Sequence, residues 1–155
     1  MTRRLRTIIG AGVLVFLMLQ LVPMSKQNSP ITQDVAAPPQ VEAILRRACY
    51  DCHSYETRWP WYAHIAPVSW LVVRDVKRGR NHLNFSAWDK YSDDPETVIR
   101  KLRNIDRVMH NGTMPLWYYL PEHAPARLSD ADRQVIEDWV MQSVESEEKR
   151  EGTQP

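Results

Sequence analysis

The sequence predicts an all-α domain behind an apolar N-terminal helix, and three observations carry that prediction. Strand-like runs of β-branched residues are nearly absent, glycine is scarce at 5 and proline reaches 11, a balance that favours helices joined by proline-marked loops. Apolar residues recur at helical spacing in four separate segments. The chain has 155 residues with 43% hydrophobic and 25% charged, enough for one ordinary globular domain and too little for a multidomain assembly.

The apolar run Ile8 to Val22 is broken only by Gln20 and closed by Pro23, with Arg3, Arg4 and Arg6 before it and Lys26 behind it. Its length lies between that of a signal-peptide core and that of a spanning helix. Small-x-small residues suited to signal cleavage occur only far downstream, at Val35-Ala36-Ala37. The expectation is therefore an uncleaved transmembrane or signal helix over residues 1–24, with a cleaved export signal as the alternative. The arginine cluster would stay in the cytoplasm and the rest of the chain would lie on the far side of the inner membrane.

Without those first 26 residues, 16 basic residues face 19 acidic ones. A mildly acidic soluble part has no global field for phosphates, so nucleic acid is excluded as a partner. Residues 25–38 hold Pro23's followers Pro30 and Pro38 and few large apolar side chains. They read as a flexible, solvated, proline-rich linker.

Pro39 then suits the first position of a helix whose apolar face is Val41, Ile44, Leu45 and Ala48. Cys49 and Cys52 close that helix. Pro67 opens a short helix through Val68, Leu71, Val72 and Val76 to Gly79. Asp94-Pro95-Glu96 starts another, with Val98, Leu102, Ile105 and Met109 inside and Arg100, Lys101, Arg103 and Arg107 toward solvent. Ser129 and Asp132 open the last helix, whose face of Val135, Ile136, Trp139 and Val140 crosses the helix begun at Pro39. The domain is thus bounded at 39–144, and the charged tail 145–155 is expected to fray.

The only two cysteines stand in Cys49-Tyr50-Asp51-Cys52-His53, which matches C-x-x-C-H, the attachment motif for c-type haem. Two thiols about one helical turn apart can form thioethers to the two vinyl groups on one macrocycle edge. The adjacent imidazole then lies under the iron as its proximal ligand. An export segment upstream agrees, because such attachment takes place outside the bacterial cytoplasm.

Three other readings fit less well. A thioredoxin-like pair follows a strand and opens a helix, whereas this pair ends a helical pattern. Zinc would need two more ligands, and His53, His64, His82, His110 and His123 contain no H-x3-5-H pair. A disulfide between residues three apart closes too small a loop to stabilise much by chain entropy.

For the sixth iron position the expected ligand is Met114, in His110-Asn111-Gly112-Thr113-Met114-Pro115. Gly112 ends the preceding helix and Pro115 stiffens the chain behind the methionine. Its competitors are Met109, His110 and His64, and a gap-filling core role is the commoner fate of methionine. His82 and His123 read as surface or loop histidines. Arg74, Arg78 and Arg80 are candidates for pairing with haem propionates. Trp59, Trp61, Tyr62, Trp70 and Trp88 are expected to wrap the cofactor.

The string Cys49 to Ser54, followed by Thr57-Arg58-Trp59-Pro60-Trp61-Tyr62, Ile65-Ala66-Pro67-Val68-Ser69-Trp70-Leu71, Gly79-Arg80 and Leu83-Asn84-Phe85-Ser86, resembles a bacterial family of small haem-binding domain proteins. Met114-Pro115, Tyr119, His123 and Ala126-Arg127-Leu128-Ser129 fit it too, so the resemblance covers about residues 41 to 142. It implies one covalently bound haem c in a periplasmic, usually membrane-tethered domain, with Cys49, Cys52 and His53 as attachment and ligation residues. Many cytochromes carry a second proline where this chain has Leu116.

The expectation is therefore a small cytochrome c-like helical domain, an electron carrier and not an enzyme. It would pass one electron at a time through a haem held by His53 and Met114, between redox partner proteins that the residues do not identify. The alternatives are a haem-based sensor or small-ligand binder with a labile or vacant sixth position, and a thiol-disulfide oxidoreductase.

Overall fold

The computed structural model describes residues 2–152. Seven α-helices follow in chain order among them: α1 (Arg3–Leu19), α2 (Pro39–Ala48), α3 (Tyr50–His53), α4 (Val68–His82), α5 (Asp89–Ser92), α6 (Pro95–His110) and α7 (Asp130–Glu151). Short 3-10 turns cover Trp61–His64 and Ala124–Ala126. The described residues contain no strand, only one isolated bridge between Gln33 and Ala87.

Helices α2, α6 and α7 supply the core, because each carries one apolar stripe that must be buried against another. Val41, Ile44 and Leu45 share one buried cluster with Leu102, Ile105 and Met109 and with Ile136, Trp139 and Val140 of α7, which packs against both other helices. Phe85 joins them from the segment after α4, stacked on Tyr50 at 5.4 Å between ring centroids. Ser129 caps α7 reciprocally: its hydroxyl accepts from the Asp132 amide while the Asp132 carboxylate accepts from the Ser129 amide. Arg47 on α2 pairs with the same carboxylate, which ties the start of α7 across the first core helix as expected.

Four expectations are corrected. No helix among the described residues is long and apolar enough to cross a membrane. The 17 residues of α1 reach about 25 Å, short of a hydrocarbon core of about 30 Å, and three of them are arginines in its first turn. The segment 25–38 is extended but is not a free linker. Val35 is buried, its amide donates to the Phe85 carbonyl at 2.9 Å, and the Thr32 amide donates to the Ser86 carbonyl at 3.1 Å.

Gly79 does not end α4, which continues to His82. It is the point where α4 crosses α3, and a Cβ there would collide with the Cys52 carbonyl oxygen. The tail does not fray at Glu145 either. α7 runs on to Glu151, with Lys149 paired to Glu145, Arg150 to Glu147 and Arg103 of α6 to Glu148. The last residues of that expected tail, 153–155, lie outside the described residues.

Candidate haem site

Cys49 leaves α2 with φ −124° and ψ −33°, and the chain re-enters a single helical turn as α3. The amides of Cys52 and His53 both donate to the Cys49 carbonyl, at 3.1 and 2.9 Å. The motif is therefore one compact turn. Neither cysteine is in a disulfide. Burial pushes both thiols up to about 12, helped by Cys52 beside Cys49 and by Asp51 beside Cys52. Such thiols lack the depressed pKa of a disulfide-exchange nucleophile.

His53 is held on two sides by the segment Leu83–Ser86. Its Nδ1 lies 3.1 Å from the Leu83 carbonyl oxygen, and its own carbonyl accepts from the Phe85 amide at 2.8 Å. A carbonyl can only accept, so Nδ1 carries the proton and the lone pair is on Nε2. That is the tautomer an iron ligand needs, with its second nitrogen oriented by the backbone. Burial lowers the pKa of the ring, which keeps it neutral.

Cys49, Cys52 and His53 line one cavity of about 520 Å³. Its walls are mostly apolar, from Leu45 and Ala48 on α2, Phe85, Ile105, Val108 and Met109 around α6, and Ile136 on α7. Met114, Pro115 and Leu116 cover part of it from the loop after α6. That loop starts where Gly112 takes φ +64°, a conformation that costs other residues a Cβ clash. Arg78, His82, Lys101, Asn104 and Arg107 also line the cavity, together with the carboxylates of Asp51 and Asp75. A large planar apolar group with charged substituents fits this combination of greasy walls and cations.

The sequence-derived candidates divide clearly. Cys49, Cys52, His53 and Met114 share the cavity, and so does Met109, although Met109 is also a core residue. His64 and His110 are exposed and do not line it. His82, read from sequence as a surface residue, is exposed yet contributes to the cavity lining. His123 stacks on Tyr119 at 3.8 Å beside a second cavity.

Of the three arginines considered for propionates, only Arg78 reaches the cavity. Arg74 pairs with Asp75. Arg80 is committed elsewhere: it donates to the carbonyls of Ser54 and Gln27, to Asn28 Oδ1 and to Thr57 Oγ1, clasping the extended segment against the motif. The expected aromatic wrap is absent as well. None of Trp59, Trp61, Tyr62, Trp70 and Trp88 lines the 520 Å³ cavity, and Phe85 and Tyr119 are its aromatic walls.

Four residues escaped the sequence reading. Lys101 and Arg107 line the cavity, though their helical run reads as a solvated face. The spacing Lys101, Ile105, Val108 was the available signal, since it puts the lysine on the stripe of a core residue. Asp51, inside the motif, accepts from the Tyr119 hydroxyl at 2.7 Å and from the Arg58 amide at 3.0 Å. No sequence signal linked Tyr119 to Asp51, because they are distant in the chain.

Comparison with known proteins agrees with this geometry. Residues 14–142 match the haem-binding domain family. The chain is also similar to the cytochrome c peroxidase Ccp of Escherichia coli (strain K12), 29% identical over 119 residues. That likeness covers 75% of this chain and 25% of the relative, so the chain spans about a quarter of that protein's length. No solved structure matches. With the motif, the oriented histidine and a cavity suited to a macrocycle in one place, the chain is a member of the haem-binding domain family.

Proposed function

We propose that this domain is a monohaem c-type cytochrome that transfers single electrons. Cys49 and Cys52 hold the haem by two thioether bonds, His53 Nε2 is the proximal iron ligand and Met114 is the sixth. The observation that carries the reading is convergence: the motif and Met114, far apart in the chain, line one mostly apolar cavity with Arg78, Lys101 and Arg107. When bound, haem supplies reversible one-electron chemistry at its iron.

The chain's own residues then have distinct tasks. Leu83 fixes the His53 tautomer through its carbonyl. The apolar walls exclude water, and the cations of the lining neutralise the propionates. A thioether sixth ligand raises the reduction potential relative to a second imidazole. The apolar surface of α1 tethers the domain to the periplasmic side of the inner membrane, where its redox partner proteins reach it.

The test is expression with a haem-maturation system. One haem that resists acidic extraction and adds to the mass of the polypeptide supports thioether attachment, and free thiols at Cys49 and Cys52 reject it. Low-spin bands in the reduced domain support electron transfer. Ready binding of carbon monoxide supports a sensor or ligand binder instead.

The likeness to a protein named cytochrome c peroxidase favours a second reading, in which the haem-loaded domain serves a peroxide-reducing enzyme. Peroxide-dependent oxidation of a reduced cytochrome by the loaded protein distinguishes this from simple electron carriage.

A further inference from the structure

Among the described residues, the domain exposes large apolar side chains around the start of α4. Trp61 is 71% exposed and Trp117 80%, against the usual burial of such side chains. Ile65, Val68 and Leu71 are exposed as well, just after the turn that begins at Trp61 and on the first turns of α4. The Tyr118 hydroxyl donates to Asp75 Oδ2 at 2.9 Å, one helical turn beyond Leu71, which brings Trp117 and Tyr118 onto the same side of α4. Val68, Leu71 and Tyr118 share the lining of the second cavity, of about 240 Å³. Trp61 packs edge-on against Tyr62 and Trp117 against Tyr118, and both tyrosines line that cavity with Val68 and Leu71. Scattered single exposed apolar residues need no explanation, but such a group does.

What covers this surface is indicated by its neighbour in the chain. α1 has no buried residue, and Ile8, Val13, Leu14, Val15, Phe16 and Met18 are all exposed. Just past its end, the Gln20 side-chain amide grips the domain reciprocally. Its Oε1 accepts from the Ala66 amide at 2.9 Å and its Nε2 donates to the Ala66 carbonyl at 3.2 Å. Ala66 lies between Ile65 and Val68, so the greasiest helix of the chain ends at the apolar corner. Lys26 adds a second tie from just past the helix to the Ala63 carbonyl.

We propose that the corner formed by Trp61, Ile65, Val68, Leu71 and Trp117 seats the domain on a lipid bilayer, with the two indoles at the headgroup and acyl boundary. This rests on the reading of α1 as a membrane tether. Indoles favour that boundary because the ring is apolar while its N–H keeps a polar partner. The seat fixes the domain's orientation, where a tether alone would leave it free to tumble over the surface.

All six tryptophans lie in the domain and none in α1, so their emission reports seating and not tethering. The haem-loaded full chain is reconstituted into phosphatidylcholine vesicles with plain or brominated acyl chains, and flotation is scored beside tryptophan fluorescence. The expected result is flotation together with quenching by the brominated lipid, and loss of that quenching in the double variant Trp61→Phe, Trp117→Phe. Taking the ratio of the two vesicle types removes the constant quenching by haem. Flotation without quenching overturns the seat and leaves the tether standing, as it would if a second protein covered the corner. Quenching that survives in the double variant also overturns it. Failure to float overturns seat and tether together.

Discussion

His53 Nδ1 and the Leu83 carbonyl oxygen are 3.1 Å apart, and the Phe85 amide answers by donating to the His53 carbonyl at 2.8 Å. The extended segment after α4 is therefore the second half of the haem motif in space. Phe85 anchors that segment, being 1% exposed and stacked on Tyr50 and Trp88. Phe85→Ala is expected to cost about 3–5 kcal/mol. Urea denaturation of the variant against the native chain measures it, and a loss under about 1 kcal/mol would show that the segment is held by its backbone alone.

Gly79→Ala places a methyl group against the Cys52 carbonyl. Backbone atoms cannot give way as a flexible side chain does, so α4 must shift from the motif. We expect a loss of about 1–3 kcal/mol and less haem attached per polypeptide. Thermal melting and a pyridine haemochrome assay read the two effects separately, and a variant that melts and loads like the native chain would contradict the close crossing.

Met114→Ala removes the only thioether in the loop that covers the cavity. The loaded variant is expected to lose low-spin character, to bind carbon monoxide when reduced and to change its reduction potential. Met109→Leu serves as the control, because Met109 lines the same cavity from within the core. An unchanged Met114→Ala spectrum beside an altered Met109→Leu spectrum would transfer the ligand role to Met109.

Arg80→Ala should free the extended segment without touching the cavity. Its guanidinium holds Gln27 and Asn28 on one side and Ser54 and Thr57 on the other. Limited proteolysis is expected to cut the variant faster within residues 25–38, with the haem spectrum retained. Equal cleavage rates would mean that the Val35 and Thr32 backbone bonds suffice.

Asp132 gives the pH dependence. Its carboxyl is held down to about 2 by hydrogen bonds from Arg47 and Ser129. A carboxyl depressed by folding stabilises the native state above its unfolded pKa, and that contribution is lost as pH falls through the folded value. Asp132→Asn should therefore be less stable than the native chain near neutral pH, by about 1 kcal/mol for the weakened cap and ion pair. The gap should close between about pH 4 and pH 2. Denaturation curves at several pH values test this, and a gap independent of pH would assign the loss to packing.

The local half of this protein was legible in its residues. C-x-x-C-H supplies the two thiols and the imidazole that the proposed attachment needs close together, and Tyr50–His53 does form a single helical turn. Pro39, Pro95 and the Ser129–Asp132 cap mark helix starts, and all three helices begin there. These signals depend only on neighbours in the chain. Long-range pairing decided the rest. Arg80 has a cation's reach and faces the right region in sequence, yet carbonyls brought from residues 27 and 54 claim it before any propionate can. Lys101 and Arg107 look like a solvated face until α4 and α6 bring them together with Arg78 around the same cavity. The tryptophans look like a cofactor wrap because composition records their apolar area and not which side of the domain they occupy. Which surface a residue reaches is set by how helices cross, and no local pattern encodes that crossing.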